Sequence, residues 1–315
     1  MSAPTGSHLS KTAVIAFMLG IASPLFSIAA SLPAMYIGLQ AVRAINSSDG
    51  RLRGRRLAIV GLILGAAFTL ITVIGCVALA LLYLQDRSHV AICTNNLRQI
   101  GQGVNRYRDH HIGHFPAATV PNAALPPEHR LSWEAAIMPF LSQGEPMGKK
   151  WEKLAGDIAF QDAWDAPANA GPRRANVAPY LCPTFVRAFS SNEPGLTSYV
   201  GIAGIGPDAA RLPLMAPDAG FFGYERILTL ADITTGISTT MIAVETAREN
   251  GPWAAGGPPT VRGLDPNCER YIGRGQPLGG LHRDGVNILW ADGSVRFVSD
   301  REKPTIFREL ARINR

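Results

Sequence analysis

Two long stretches near the N-terminus contain no charged residue, and they constrain this 315-residue chain more than any other feature. Residues 12–42 and residues 57–84 hold no Asp, Glu, Lys or Arg. Each stretch is longer than the roughly 20 apolar residues that cross the hydrocarbon core of a bilayer. The sequence therefore predicts two transmembrane helices followed by one large domain, with the lipid bilayer as a partner.

The distribution of charge predicts the orientation of these parts. Residues 1–92 hold seven basic and two acidic residues, which leaves 23 basic and 22 acidic residues for 93–315. The large domain is thus nearly neutral and has no basic stripe, so no nucleic-acid partner is expected. The N-terminal tail offers only Lys11, whereas five arginines lie in the loop between the stretches. Under the positive-inside rule this loop faces the cytoplasm and both termini lie outside. The loop arginines are Arg43, Arg51, Arg53, Arg55 and Arg56.

These patterns predict an N-terminal tail (1–11), a two-span module in the cytoplasmic membrane (12–87) and an extracytoplasmic domain (88–315). A cleaved signal peptide is disfavoured because the first run is too long and a second apolar stretch follows it directly. The alternative that both stretches are core helices of a soluble domain is disfavoured by their length and lack of charge. Pro24 and Pro33 favour a kink or a re-entrant break in the first stretch.

The second apolar stretch is predicted to continue as one long helix to about Asp109. Apolar positions recur every three or four residues after the stretch, which is typical of one buried helix face. Gly113, followed by Phe115-Pro116, is expected to end the helix. The face consists of Val90, Cys93, Leu97, Ile100, Val104 and Tyr107.

Five segments in this order carry a family resemblance. They are Cys93-Thr-Asn-Asn-Leu-Arg-Gln-Ile-Gly101, Tyr180-Leu-Cys-Pro183, Thr197-Ser-Tyr-Val-Gly201, Met241-Ile-Ala-Val-Glu245, and His282 followed after nine residues by Asp292-Gly293. Over about 93–299 the chain resembles the bacterial family catalogued as domain of unknown function 1559, whose members usually begin with a prepilin-type signal. The resemblance implies a non-catalytic, pseudopilin-like head.

The N-terminal part departs from that family. The usual prepilin helix, with its cleavage glycine and glutamate, is absent. Arg51-Leu-Arg-Gly54 and the run Leu57 to Gly65 resemble instead the two-helix membrane module catalogued as domain of unknown function 4190. The resemblances together imply an α+β fold in which the second transmembrane helix continues as a long pilin-like helix packed on a mainly antiparallel β-sheet head.

The end of the chain gives the clearest local prediction. Val286–Trp290 and Val295–Val298 are predicted to be the two strands of a β-hairpin around Asp292-Gly293, a dipeptide favoured in turns whose two central residues both have positive φ. A terminal helix is expected to begin near Pro304. Further strands are predicted at Tyr180–Cys182, Ser198–Ile202 and Thr240–Val244, and an exposed loop at Pro252–Asn267.

Two groups of residues suggest chemistry. A triad could be drawn from His282, Asp284, Asp292 and Ser294, but there is no nucleophile elbow, and the residue pattern favours a turn. His110 and His114 share one face if the helix continues, although zinc usually takes a third protein ligand. We expect no catalytic residues, cofactor or bound metal. The alternative is a membrane-anchored metal-dependent hydrolase that uses one of these groups.

Three cysteines are predicted to lie outside the membrane, where disulfides persist. We predict that Cys93 pairs with Cys182, because both lie in family-like segments and Cys268 does not; the sequence alone leaves all three pairings open. The overall expectation is a non-catalytic cell-envelope protein with a structural or binding role, whose partners are envelope proteins or surface solutes.

Overall fold

The structure is a computed structural model that describes residues 8–26, 28–48, 51–141, 148–188 and 195–314. The chain divides into two compact units, Met1–Gln85 and Asp86–Arg315. The helices are α1 (Lys11–Phe26), α2 (Ile28–Asn46), α3 (Arg55–His110), α4 (Trp133–Ile137), α5 (Gly148–Gly156), α6 (Pro183–Ala188) and α7 (Pro304–Leu310). The strands are β1 (His8–Leu9), β2 (Leu52–Arg53), β3 (Tyr199–Ile205), β4 (Met241–Glu245), β5 (Val261–Leu264), β6 (Gly285–Trp290) and β7 (Val295–Ser299).

The first uncharged stretch does not form the single spanning helix that the sequence predicts. It forms α1 and α2, which lie on either side of residue 27. Pro24 lies in the last turn of α1, where it lacks the backbone N–H of other residues and interrupts the ladder of helical hydrogen bonds. α1 is 16 residues long, or about 24 Å at 1.5 Å per residue, which is shorter than the roughly 30 Å hydrocarbon core.

Contacts with α3 define the direction of α1. Ala13 lies beside Gly54, and Ala16 lies against Gly61. Farther along α1, Gly20 contacts Gly61 and Leu64. α1 therefore runs in the same direction as α3.

α2 returns in the opposite direction along α3. Gly38 lies against Ala58 and Leu62, and the earlier residue Ser31 reaches the later residues Gly65 and Thr69. β1 pairs in parallel with β2, with His8 opposite Leu52. The N-terminal segment and the arginine loop therefore lie together. The expectation that they occupy opposite sides of a membrane is wrong in this structure, because the first stretch turns back on itself.

α3 confirms that the second apolar stretch continues as a long helix. It is long and apolar enough to cross a membrane, and only 17% of its most apolar 18-residue window is buried. A core helix of a soluble domain would be mostly buried. The helix ends at His110, and Gly113 follows with a φ of 85°.

The second unit is built on a five-stranded sheet with the order β5-β3-β4-β6-β7. Its pairs are antiparallel except β3–β5, so the predicted mixture of helix and mainly antiparallel sheet is confirmed. One face, including Ala203 and Leu289, packs in a core with Leu97 and Ile100 of α3. The other face, including Val200, packs in a second core with Phe307 of α7. Both faces are covered, which explains why β3, β4 and β6 are fully buried.

Three local predictions need correction. Tyr180–Cys182 is not a strand, because a 3-10 helix occupies Ala178–Tyr180. β5 lies within the predicted loop 252–267, where a four-residue strand is too short to show a pattern. In the β6–β7 turn only Gly293 has a positive φ, at 81°. Gly293 N–H donates to Trp290 O, and Trp290 N–H donates to Ser294 O, so this is a three-residue loop with a glycine bulge.

Candidate functional site: a buried cysteine–histidine–carboxylate cluster

Four chemically reactive side chains converge in the core of the second unit, and we call them the thiol–imidazole cluster: Cys93, Cys182, Glu245 and His282. Cys93 lies on the buried face of α3, and Glu245 is the last residue of β4. Cys182 comes just before α6, and His282 comes just before β6. The four elements α3, β4, α6 and β6 thus position the cluster. Cys93, Cys182 and Glu245 are fully buried, and His282 is 8% exposed.

The distances within the cluster are short. The Sγ atoms of Cys93 and Cys182 are 2.8 Å apart. His282 Nε2 lies 3.6 Å from Cys182 Sγ and 3.4 Å from Glu245 Oε1. The ligand atoms of the two cysteines and His282 all lie within 4.8 Å of one another, and they are the one such group of three or more found among the described residues.

Glu245 is held in place by a neighbouring asparagine. Asn287 donates its backbone N–H to Oε2 at 2.8 Å and its Nδ2 to Oε1 at 3.0 Å. Thr94 of α3 donates its hydroxyl to Asn287 Oδ1 at 3.0 Å. A chain of polar contacts therefore leads from α3 through β6 and β4 to His282 and back to α3. Within the described residues, His282 Nδ1 is buried without a hydrogen-bond partner.

The cluster shifts the pKa values of its two thiols in opposite directions. A hydrogen bond from Cys93 is the main cause that lowers the pKa of Cys182 to about 5, and the hydrogen bond and charge of His282 lower it further. The same hydrogen bond, followed by burial, raises the pKa of Cys93. Burial alone would lower the pKa of His282, but hydrogen bonds to Cys182 and Glu245 raise it to about 10. The lowered pKa of Cys182 and the raised pKa of His282 have the directions expected for a thiol next to an imidazole.

The structure does not bring together the proposed triad residues. His282 precedes β6, whereas Asp292 and Gly293 follow it, and six strand residues span about 20 Å. Asp292 Oδ1 accepts the backbone N–H of Ser294, so Asp292 and Gly293 serve the turn. The motif thus divides into a cluster residue and a turn at opposite ends of one strand.

The second candidate pair, His110 and His114, is also divided. α3 ends at His110, so the two residues do not share a helix face. His114 Nδ1 lies 3.1 Å from the backbone oxygen of His111. The described residues show no third ligand for a metal at this position.

An open pocket of about 410 Å³ lies beside the end of α3. The ring of His111 stacks on Tyr107 at 3.8 Å, and Phe140 meets Tyr107 edge-on at 5.8 Å. Thr119 also lines the pocket; its buried hydroxyl has no partner among the described residues. Among the residues that the structure describes, the lining contains neither a cysteine nor a carboxylate. It consists of Tyr107, His110, His111, Ala117, Thr119, Val120, Pro121, Ala136, Pro139, Phe140 and Phe160.

A family model described as "Protein of unknown function (DUF1559)" matches residues 91–264, which is more than half of the chain. The chain belongs to this family. The DUF1559 match includes Cys93, Cys182 and Glu245 but ends before His282, so the C-terminal motif and the N-terminal two-helix resemblance stay predictions. Neither the curated proteins nor the solved structures compared with the chain give a match.

Four of the segments that carried the DUF1559 resemblance each supply one residue to the cluster. Cys93, Cys182 and His282 were noticed in the sequence, and the structure places them together. The role of Glu245 was missed, because nothing in the sequence linked it to His282. One signal was present: Glu245 ends the apolar run Met241-Ile-Ala-Val, where a carboxylate must be buried with a partner. The predicted Cys93–Cys182 bond stays a prediction.

Proposed function

We propose that this DUF1559 chain is a membrane-anchored cell-envelope protein whose second unit is a non-catalytic binding head outside the cytoplasm. The observation that carries the proposal is that the reactive side chains and the open pocket lie in different places. The thiols, imidazole and carboxylate of the cluster are buried in the core, whereas the described residues that line the open pocket include no cysteine and no carboxylate. A substrate in that pocket would not contact the cluster, since none of the four cluster residues lines the pocket.

The anchor in this proposal is α3. Large apolar side chains on its middle section are exposed, which suits contact with lipid. A lipid-facing helix needs no partner, because its backbone hydrogen bonds are internal. The exposed set includes Leu70, Ile71, Val73, Ile74, Val77, Leu79, Leu81, Leu82, Tyr83 and Leu84.

Beside α3, α1 and α2 form a hairpin that enters the bilayer from the side of the arginine loop. Its interface with α3 is made of small residues such as Ala16, Gly20 and Gly61, which allow close backbone approach in membranes. The hydroxyls of Ser31 and Thr69 hydrogen-bond across it at 2.9 Å. Lys11 and the loop arginines then gather at one end, which favours a cytoplasmic N-terminus and an outward-facing head.

Reporter fusions test this topology. A fluorescent protein fused before Met1 should fluoresce, and alkaline phosphatase fused after Arg315 should be active, because the two ends lie on opposite sides. Exchanging the reporters is the matched control and should silence both. A fluorescent protein that matures after Arg315 would refute the proposed location of the head, and phosphatase activity before Met1 would refute the hairpin.

The pocket supports the binding role. Its volume lies within the range of about 300–1,000 Å³ that is usual for small-molecule sites. Aromatic faces with two imidazoles and one buried hydroxyl suit a small, uncharged molecule that carries a ring.

The non-catalytic role is tested with ester and phosphate substrates in the presence of zinc. Hydrolysis by the wild-type chain that is lost in His282→Ala or His110→Ala would favour the hydrolase alternative.

A further inference from the structure

We propose that Cys93, Cys182, His282 and Glu245 form a closed binding site for one zinc-class cation. This class prefers thiolate, imidazole and carboxylate ligands, which are the groups that the cluster offers. The proposal is independent of the pocket and of any binding role of the head.

Two distances in the cluster match the edges of a zinc tetrahedron. With Zn–S bonds of about 2.3 Å and Zn–N or Zn–O bonds of about 2.05 Å, the sulfur–nitrogen edge is about 3.6 Å and the nitrogen–oxygen edge about 3.4 Å. The observed distances are 3.6 Å from Cys182 Sγ to His282 Nε2 and 3.4 Å from His282 Nε2 to Glu245 Oε1. The sulfur–sulfur edge would be about 3.8 Å, so the two thiols, now 2.8 Å apart, must separate by about 1 Å.

The surroundings of the cluster resemble those of a structural metal site. All four side chains are buried, which leaves no open position for a substrate. Asn287 fixes both oxygens of Glu245, as outer hydrogen bonds do for metal-bound carboxylates. His282 Nδ1 lacks the usual outer partner among the described residues. Because such partners contribute about 10- to 100-fold in affinity, we expect weaker binding than in a fully supported site.

A metal and a Cys93–Cys182 disulfide exclude each other in one molecule, because both use the same two sulfurs. A disulfide requires the sulfurs to approach from 2.8 Å to about 2.05 Å. In a disulfide, neither His282 nor Glu245 would form a bond that involves the two sulfurs. A cation engages all four groups and links α3 to the sheet, so its binding would also stabilise the fold.

The test is the zinc content of the full-length chain, purified in detergent with a phosphine reductant and then dialysed against zinc. We expect one zinc per chain by elemental analysis, lost in Cys182→Ser and in His282→Ala. Cys268→Ser and His110→Ala are matched controls, because these residues lie outside the cluster, and both should keep the metal. Cobalt(II) in place of zinc should give thiolate-to-cobalt charge-transfer absorption in the wild type and in both control variants, but not in Cys182→Ser or His282→Ala.

Tryptophan fluorescence identifies variants that fail to fold. Glu245→Gln provides a milder test, since it keeps the side-chain shape, and it should weaken zinc binding at least 10-fold in a folded chain. Three results would overturn the proposal: a folded, reduced chain that takes up no zinc, unchanged zinc in folded Cys182→Ser, or a Cys93–Cys182 disulfide found by peptide mapping of chain purified without reductant. The reporter fusions would be unaffected, so failure here is distinguishable from failure of the proposed function.

Discussion

Gly201→Ala probes how the helix-covered face of the sheet is packed. A Cβ at Gly201 in β3 would lie 2.5 Å and 2.8 Å from two ring atoms of Phe222, and 3.2 Å from Trp133 Nε1. Both rings are fully buried, and their centroids are 4.8 Å apart. Because neither flat ring can rotate away in a packed core, one ring must shift as a whole.

The expected cost follows from two opposing effects. Overpacking a core by one methyl group costs about 1–3 kcal/mol. Replacing glycine reduces the entropy of the unfolded chain, which returns about 0.4–1 kcal/mol. We therefore expect Gly201→Ala to lower the free energy of unfolding by about 1–2 kcal/mol. In a Phe222→Leu background the ring is gone, so the same change should be neutral or slightly stabilising, with a coupling energy of about 1–3 kcal/mol.

Guanidinium unfolding of the full-length chain in detergent measures these values. All five tryptophans lie between Trp133 and Trp290, so their fluorescence reports on the second unit alone. Gly75→Ala is the control, because nothing lies within 4 Å of a Cβ there, and it should leave this transition unchanged. Equal costs of Gly201→Ala in the wild-type and Phe222→Leu backgrounds would refute the argument.

Three further results are expected. Burial raises the pKa of Glu134 well above its usual value, so the native state retains a proton that the unfolded state loses. Stability should then fall by up to about 1.4 kcal/mol per pH unit as pH rises above about 4.5, and Glu134→Gln should abolish that slope in urea titrations; parallel slopes would contradict this. Gly61→Ala should separate α1 from α3, since its Cβ would lie 2.5 Å from Ala16 O, and should speed proteolysis of the hairpin in nanodiscs, unlike Gly75→Ala. Ala136→Trp should fill the pocket and remove saturation-transfer signals from bound indole; persistence of these signals would place indole elsewhere.

Local patterns predicted much of the second unit. The three- and four-residue spacing from Cys93 to Val104 marked the face of α3 that is now buried, because a helix repeats every 3.6 residues whatever it packs against. The Asp-Gly turn signal between two short apolar runs located β6 and β7, and Pro304 marked the start of α7. The sequence did not predict β5, because its pairing with β3 depends on residues 60 positions away. Its own four residues are too few to show a hydrophobic period.

The sequence predicted only part of the candidate site. Cys93 and Cys182 were predicted to pair through a resemblance; their Sγ atoms lie 2.8 Å apart and both cysteines are free, so the bond stays a prediction. His282 was assigned to a motif with Asp292, yet its neighbours are Cys182 and Glu245. Sequence spacing along β6 could not show this, because the contact crosses from one strand to the end of another.

The sequence by itself determined which segments are apolar enough for lipid, where the long helix runs and ends, and that the chain resembles DUF1559. These properties depend on the residues of one segment and its own backbone geometry. Only the tertiary structure decided that the first apolar stretch turns back beside α3, and that two thiols, an imidazole and a carboxylate meet in one core. Both results depend on pairing between distant segments, which is set by close packing of glycines and by partners for buried charge.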